Sequence, residues 1–196
     1  MLPSLDDLDW PLQTARLTIR RATPEDARLT WPYRSQPAVA DWLTRLPTSE
    51  AAYATWFADA DVHSATLLLE YDGAVIGDAY LGIEDGWSQV EAVEDAAACE
   101  AKLGWVLAPE HQGRGLATEA VHALMATCFD QLSLRRVVAE CFAANEPSWR
   151  LMERVGMRRE THSVRDGLHR TRGWLDGYTY ALLAEEWATR SPGSRE

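Results

Sequence analysis

The stretch Leu103-Gly-Trp-Val-Leu-Ala-Pro-Glu-His-Gln-Gly-Arg-Gly-Leu-Ala-Thr-Glu-Ala120 constrains the fold more than any other part of the chain. The apolar run ending at Leu107 reads as a buried strand, and Pro109 to Gly115 as a turn. A helix should follow, since Leu116, Ala117, Ala120, Val121, Leu124, Met125, Cys128 and Phe129 recur at the spacing of one buried helix face. Gly113 and Gly115 let backbone N–H groups converge where a Cβ would crowd them. The helix start leaves amides without partners and aims the positive end of its dipole at the same point. Such a junction is a seat for a phosphate group. It implies a phosphorylated ligand lying against the end of a strand.

Around this junction the chain alternates strands and helices. Arg16 to Ala22 reads as a first strand, and Thr23-Pro24 as a helix start. Residues 24 to 60 read as two or three short helices interrupted at Pro37 and Pro47. Asp72-Gly73 joins two strands, 65–71 and 74–83, as a hairpin. Residues 84–98 carry Glu84, Asp85, Glu91, Glu94 and Asp95 around Trp87 and read as an acidic loop. Arg136 to Phe142 is a strand that completes a βαβ unit with the one ending near Leu107, so the two should be parallel. Asn145 to Val155 reads as a helix with Asn145 as its cap and Gly156 as its stop. Strands at 157–165 and 173–183 should close the chain as a hairpin around Asp166-Gly167. The expected organisation is an extension at 1–11, one domain at 12–188, and a flexible tail at 189–196.

Composition narrows the ligand. With 19 basic and 30 acidic residues the net charge is −11, which argues against nucleic acid as the main ligand and suits a cationic substrate. No run of about 18 apolar residues occurs, so no membrane span is expected. The acidic start lacks the basic segment of a signal peptide, and Cys99, Cys128 and Cys141 fit reduced thiols, so the cytoplasm is the expected compartment. The five histidines lack metal-ligand spacing, no Gly-x-Ser-x-Gly elbow occurs, and no metal is expected.

Three phosphate-binding motifs can be compared at residues 112–118. A P-loop string is absent. Gly113-Arg-Gly115-Leu-Ala-Thr118 supplies two of the three glycines of a dinucleotide fingerprint. Gln112-Gly-Arg-Gly115-Leu-Ala117 matches the Gln/Arg-x-x-Gly-x-Gly/Ala signature of the GNAT acyltransferase superfamily, with Pro109 just before it. Further on, Asn145-Glu-Pro-Ser148-Trp-Arg-Leu-Met-Glu-Arg-Val-Gly-Met157 and Trp174-Leu-Asp176 through Trp187 resemble the RimJ/RimL branch, whose founding members acetylate N-termini of ribosomal proteins.

The resemblance implies a single GNAT-like α/β (α+β) domain. Its sheet would be mixed and mostly antiparallel, of about seven strands, with a splayed central parallel pair and helices on both faces. It implies acetyl-CoA, or another acyl-CoA, as co-substrate. Trp105, Val106 and Leu107 would pair with the pantetheine arm. Gln112, Gly113, Arg114, Gly115, Leu116, Ala117 and Thr118 would form the pyrophosphate turn. Asn145 would hydrogen-bond the pantetheine near the thioester, and Ser148 would donate a hydrogen bond or proton to the sulfur. A strand N–H near Val106 or Leu107 would polarise the thioester carbonyl.

The base is less directly marked. Many RimJ/RimL relatives carry Glu two residues before the glycine that corresponds to Gly104, where this chain has Lys102. Glu100 falls on the same strand face and is the candidate replacement; a solvated strand-end glutamate is the alternative. At pH 7 an α-amine of pKa about 7.8 costs about 1 kcal/mol to deprotonate, and a lysine of about 10.4 costs about 5. A site without a marked base therefore suits an α-amine. The expected acceptor is a primary amine on a protein N-terminus or a small molecule, and the expected assembly is a monomer or homodimer. Lys102 also raises the alternative of a non-catalytic acyl-CoA-binding domain. Arginines 150–172 are read as a solvated face that offers one or two groups to the CoA 3′-phosphate, and Trp31, Trp42 and Trp56 as core packing.

Overall fold

The structure, a computed structural model, describes residues 2–189; the expected tail lies outside them from 190 on. Eight strands occur in the order β1-β2-β3-β4-β5-β6-β8-β7. They are β1 (Leu12–Gln13), β2 (Thr18–Arg21), β3 (Thr66–Tyr71), β4 (Ala74–Glu84), β5 (Glu100–Leu107), β6 (Arg136–Phe142), β7 (Arg158–His169) and β8 (Gly173–Leu183). The β5–β6 pair is parallel; the pairs β1–β2, β2–β3, β3–β4, β6–β8 and β7–β8 are antiparallel. Seven α-helices accompany the sheet: α1 (Ala27–Arg34), α2 (Pro37–Ala40), α3 (Glu50–Phe57), α4 (Ala60–His63), α5 (Leu116–Ala126), α6 (Glu146–Arg154) and α7 (Ala184–Ala188). By internal contacts the chain forms two compact units. One is Asp9–Leu81 with Gly104–Ala120; the other holds residues up to Leu8, Gly82–Leu103, and those from Val121 on.

In the first unit, β3 buries four successive residues, Thr66 to Leu69. Such a run marks a strand covered on both faces. The β3–β4 turn is the one expected: Asp72 and Gly73 both take positive φ, 50° and 77°, as a two-residue hairpin turn requires. Between β2 and β3, Pro37 opens α2 at its first turn, where a missing N–H costs nothing. Trp31 and Trp56 pack against a cluster of Ala22, Ala27, Tyr53, Phe57 and Leu68, as core residues should.

A charged network is sealed into this unit. Asp78 of β4 is 4% exposed. It accepts from the Tyr33 hydroxyl at 2.7 Å and pairs with Arg34, both at the end of α1. Burial and the neighbouring Asp78 carboxylate push Tyr33 well above its ordinary pKa, so it stays a donor. Burial works against the charge on Arg34, and Asp78 restores it.

In the second unit, the buried face of α5 carries Val121, Leu124 and Met125 and continues through Cys128 and Phe129. There the helix widens into a π-turn, Thr127–Gln131, closed by Leu132 N–H to Thr127 O at 3.0 Å. The last hairpin differs from expectation. The turn lies at residues 170–172, and Asp166-Gly167 sits inside β7 in a register shift between Ser163 and Gly167. Arg165 takes φ 50° there, and its N–H bonds Asp176 at 3.0 Å. The Asp-Gly pair thus lies in a bulge, where Arg165 rather than Gly167 takes the left-handed conformation.

Replacing Asp78 with Asn should leave Arg34 buried without a counter-charge. The expected loss is about 3 kcal/mol of stability, read by urea denaturation. Asp78→Asn/Arg34→Met should recover most of it.

Candidate functional site

The first unit builds a turn against the end of a strand. Gly113 and Gly115 take φ 72° and 78°, the left-handed region where other residues are strained. Gln112 donates from Nε2 to the Leu107 carbonyl at 2.8 Å, tying the turn to the tip of β5. The helix α5 starts at Leu116, and its first backbone bond runs from Glu119 N–H to Gly115 O at 3.0 Å. The amides of Gly113, Gly115, Leu116 and Ala117 donate to no carbonyl among the described residues. They are the unspent donors that the start of an α-helix creates.

Two guanidinium groups border this turn. Arg114 lies over the Tyr71 ring, 5.0 Å from its centroid, and donates to the Tyr71 hydroxyl at 3.2 Å. Arg16 donates to the Arg114 carbonyl at 3.1 Å. Arg16 is itself held by Glu119, its Nε and backbone N–H donating at 2.7 and 2.8 Å. Thr14 adds a hydroxyl donor to Glu119 at 2.5 Å. Burial opposes the charge on Glu119, but these donors prevail and hold the carboxyl below its ordinary range. Sequence reading missed Arg16 and Glu119, which are 103 residues apart and belong to no motif.

The strand beside the turn has one committed side and one open side. A Cβ on Gly77 of β4 would run into the Val106 carbonyl oxygen, so that group faces β4. Two residues on, Ala108 N–H donates to the Ile76 carbonyl at 2.9 Å. Backbone groups alternate sides along a strand, so Trp105 and Leu107 turn theirs away from β4. The β5–β6 register ends at Leu103↔Ala139, although β5 runs on to Leu107.

The second unit carries Asn145, Ser148 and Glu100. Asn145 occupies the cap position of α6, but its side chain makes no capping bond. Its carbonyl instead receives Ser148 N–H at 3.1 Å, leaving the side-chain amide unspent. Ser148 stands on the first turn of α6, and Cys141 lies near the end of β6. Burial pushes Cys141 up to about 11, with Ser148 opposing, so both groups are neutral near pH 7. Trp149 is fixed by Nε1 donation to Ala143 O at 3.1 Å.

Glu100 opens β5, and both carboxylate oxygens are taken: Arg135 and Arg136 each donate at 2.8 Å. Arg136 also pairs with Glu160. Lys102 pairs with Glu140 at 2.6 Å. Arg16 and Arg114 border the glycine turn; Arg158 is engaged with Glu160 and Glu186 in the second unit. Among the described residues no group of side chains has metal-ligand character, and no helix is long and apolar enough to cross a membrane.

The chain is similar to known proteins. The family description "Acetyltransferase (GNAT) domain" matches residues 16–158. YnaD of Bacillus subtilis (strain 168), an uncharacterized N-acetyltransferase by name, is 40% identical over 86 residues, 44% of this chain and 50% of YnaD. The chain thus matches half the length of that relative. YdaF of the same organism, named as a ribosomal N-acetyltransferase, is 31% identical over 181 residues, 87% of this chain and 93% of YdaF. The crystal structure of Mycobacterium smegmatis RimJ in complex with CoA-disulfide has the same fold, with TM-score 0.74 and 22% identity over 100% of this chain and 95% of that one.

Glu100→Gln should cost about 1 kcal/mol in thermal or denaturant unfolding, because it removes the charge that two arginines share. Glu119 makes a pH prediction. Its carboxyl is depressed in the folded state, so its stabilisation is present above the ordinary range near about 4.3 and fades as pH falls through the lowered value. Acid unfolding of the protein should therefore be steeper below about pH 4 than that of Glu119→Gln.

Proposed function

The chain belongs to the GNAT acetyltransferase family and is an acyl-CoA-dependent N-acetyltransferase, and on that premise we propose how its residues divide the work. The residues present fit a CoA thioester. The positive-φ glycine pair, the unspent amides of Gly113 to Ala117 and the guanidiniums of Arg16 and Arg114 suit its phosphates. The open side of β5 at Trp105 and Leu107 suits an amide-bearing arm, which can add to it like a strand. When bound, the thioester supplies an activated acyl carbon and a sulfur leaving group.

Gln112 holds the turn against the strand, and Leu116, Ala117 and Thr118 present the helix start. Because Val106 turns toward β4, the strand N–H proposed to polarise the acyl oxygen is that of Leu107. The unspent Asn145 amide serves the pantetheine near the sulfur. Ser148 donates a hydrogen bond from Oγ to the departing sulfur, and where the proton itself passes to sulfur, the proton shed by the attacking amine replaces it on Oγ.

Glu100 is read as an anchor. Both of its carboxylate oxygens are engaged by Arg135 and Arg136, which fixes it at the start of β5. With no dedicated carboxylate base, the acceptor the site suits best is an amine already partly neutral at pH 7, an α-amine such as a protein N-terminus. The observation that carries this reading is the glycine turn set against an unpaired strand edge. Lys102 pairs with Glu140.

Ser148→Ala should lower kcat by about a hundredfold and leave the affinity for CoA within about twofold, measured by thiol release and calorimetry. Arg16→Ala should do the reverse, weakening CoA by about tenfold with a smaller change in kcat. Unchanged turnover in Ser148→Ala would remove that residue from the chemistry.

A further inference from the structure

The loop between β4 and β5 carries apolar side chains that the catalytic account does not use. Trp87 is 95% exposed, Val90 86% and Val93 52%. A tryptophan left almost wholly in water is unusual, because its large apolar surface favours burial. The three stand at intervals of three residues, and a 3-10 turn at Val90–Ala92 lies among them. At three residues per turn, Val90 and Val93 come to one side.

The loop is ordered without help from these side chains. Gly86 N–H donates to Ala96 O at 2.7 Å, and Ala98 N–H to the Asp85 carboxylate at 2.7 Å. Ala98 takes φ 48° to close the ring. A Cβ on Gly86 would come within 2.9 Å of the Cys99 sulfur, so the base of the loop is tight. The apolar trio therefore stands on a preformed platform, which lowers the ordering cost of binding.

The charge around the trio selects the occupant. No lysine, arginine or histidine occurs from Gly73 to Ala101. Glu84, Glu91, Glu94 and Asp95 surround the trio and enter no ion pair among the described residues, while Asp85 is spent on the loop itself. A second copy of a chain with net charge −11 would meet repulsion here; a cationic chain would meet attraction.

We propose that the 84–98 loop is a docking surface for a basic polypeptide segment that places an aromatic or large aliphatic side chain on Trp87, Val90 and Val93. The inference rests on the reading of the acceptor as a polypeptide N-terminus. The docked segment is then the acceptor's own chain beyond its first residues. Carboxylates steer it, and the apolar trio holds it.

The test uses the full-length protein and two synthetic peptides of about twelve residues, rich in lysine and arginine with one leucine. One has a blocked N-terminus and the other a free one; a short neutral peptide with a free N-terminus serves as comparison. The blocked peptide should bind, with affinity falling about tenfold in Trp87→Ser and about tenfold between low and 0.3 M salt, while CoA binding is unchanged. The free basic peptide should exceed the neutral one in kcat/KM by about tenfold, an advantage that Trp87→Ser and Glu91→Gln/Glu94→Gln each remove. Equal binding of the blocked peptide to protein and Trp87→Ser, or no binding, would overturn the docking surface. So would a wild-type dimer in sedimentation that Trp87→Ser turns into a monomer, since the occupant would then be a second copy. Binding through Trp87 with no turnover of any free peptide would keep the docking surface and reject the peptide acceptor.

Discussion

Backbone N–H and C=O groups must be paired or solvated, and a sheet strand that loses its neighbour midway has to find other partners for them. That constraint organises this protein. The parallel β5–β6 register stops at Leu103↔Ala139, and Trp105 and Leu107 turn their backbone groups away from β4. The Leu107 carbonyl finds Gln112. Beside it, the amides of Gly113, Gly115, Leu116 and Ala117 at the helix start are unspent. A thioester carrier with an amide-bearing arm and a diphosphate offers partners for the strand groups and for these amides.

Holding that edge open takes rigidity elsewhere. Gly77 lets β4 approach β5 closely enough to receive the Val106 carbonyl. One residue on, Asp78 locks β4 to α1 through Tyr33 and Arg34. At the turn, Glu119 reaches from α5 to fix Arg16 and Thr14, so the guanidinium bordering the glycines is set before any ligand arrives. Charged hydrogen bonds of this kind are costly to bury singly and stabilising only when complete. Preorganised donors of this sort are what a site for developing negative charge needs.

Local rules made parts of this legible from sequence. The glycine turn, the helix stripe from Leu116 to Phe129 and the Asp72-Gly73 hairpin all express constraints spanning fewer than fifteen residues. The remainder depends on partners far apart in the chain. Arg16 and Glu119 are unremarkable alone and meet only in the fold. Glu100 has the right strand face for a base, but Arg135 and Arg136 arrive from the next strand and its approach. Asn145 has the residue type of a helix cap, yet its backbone supplies the bonds and its side chain is left over. Asp166-Gly167 has the composition of a turn and is used in a bulge. The two-residue β1 is too short for any periodicity to announce.

The central claim is that main-chain amides at the end of β5 and the start of α5 are the grip on the carrier. Amide NMR during titration with CoA addresses it most directly. Large shifts are expected at the N–H groups of Trp105, Leu107, Gly113, Gly115, Leu116 and Ala117, saturating together. Saturable binding of CoA with those six resonances unmoved, and the shifts lying elsewhere, would contradict it.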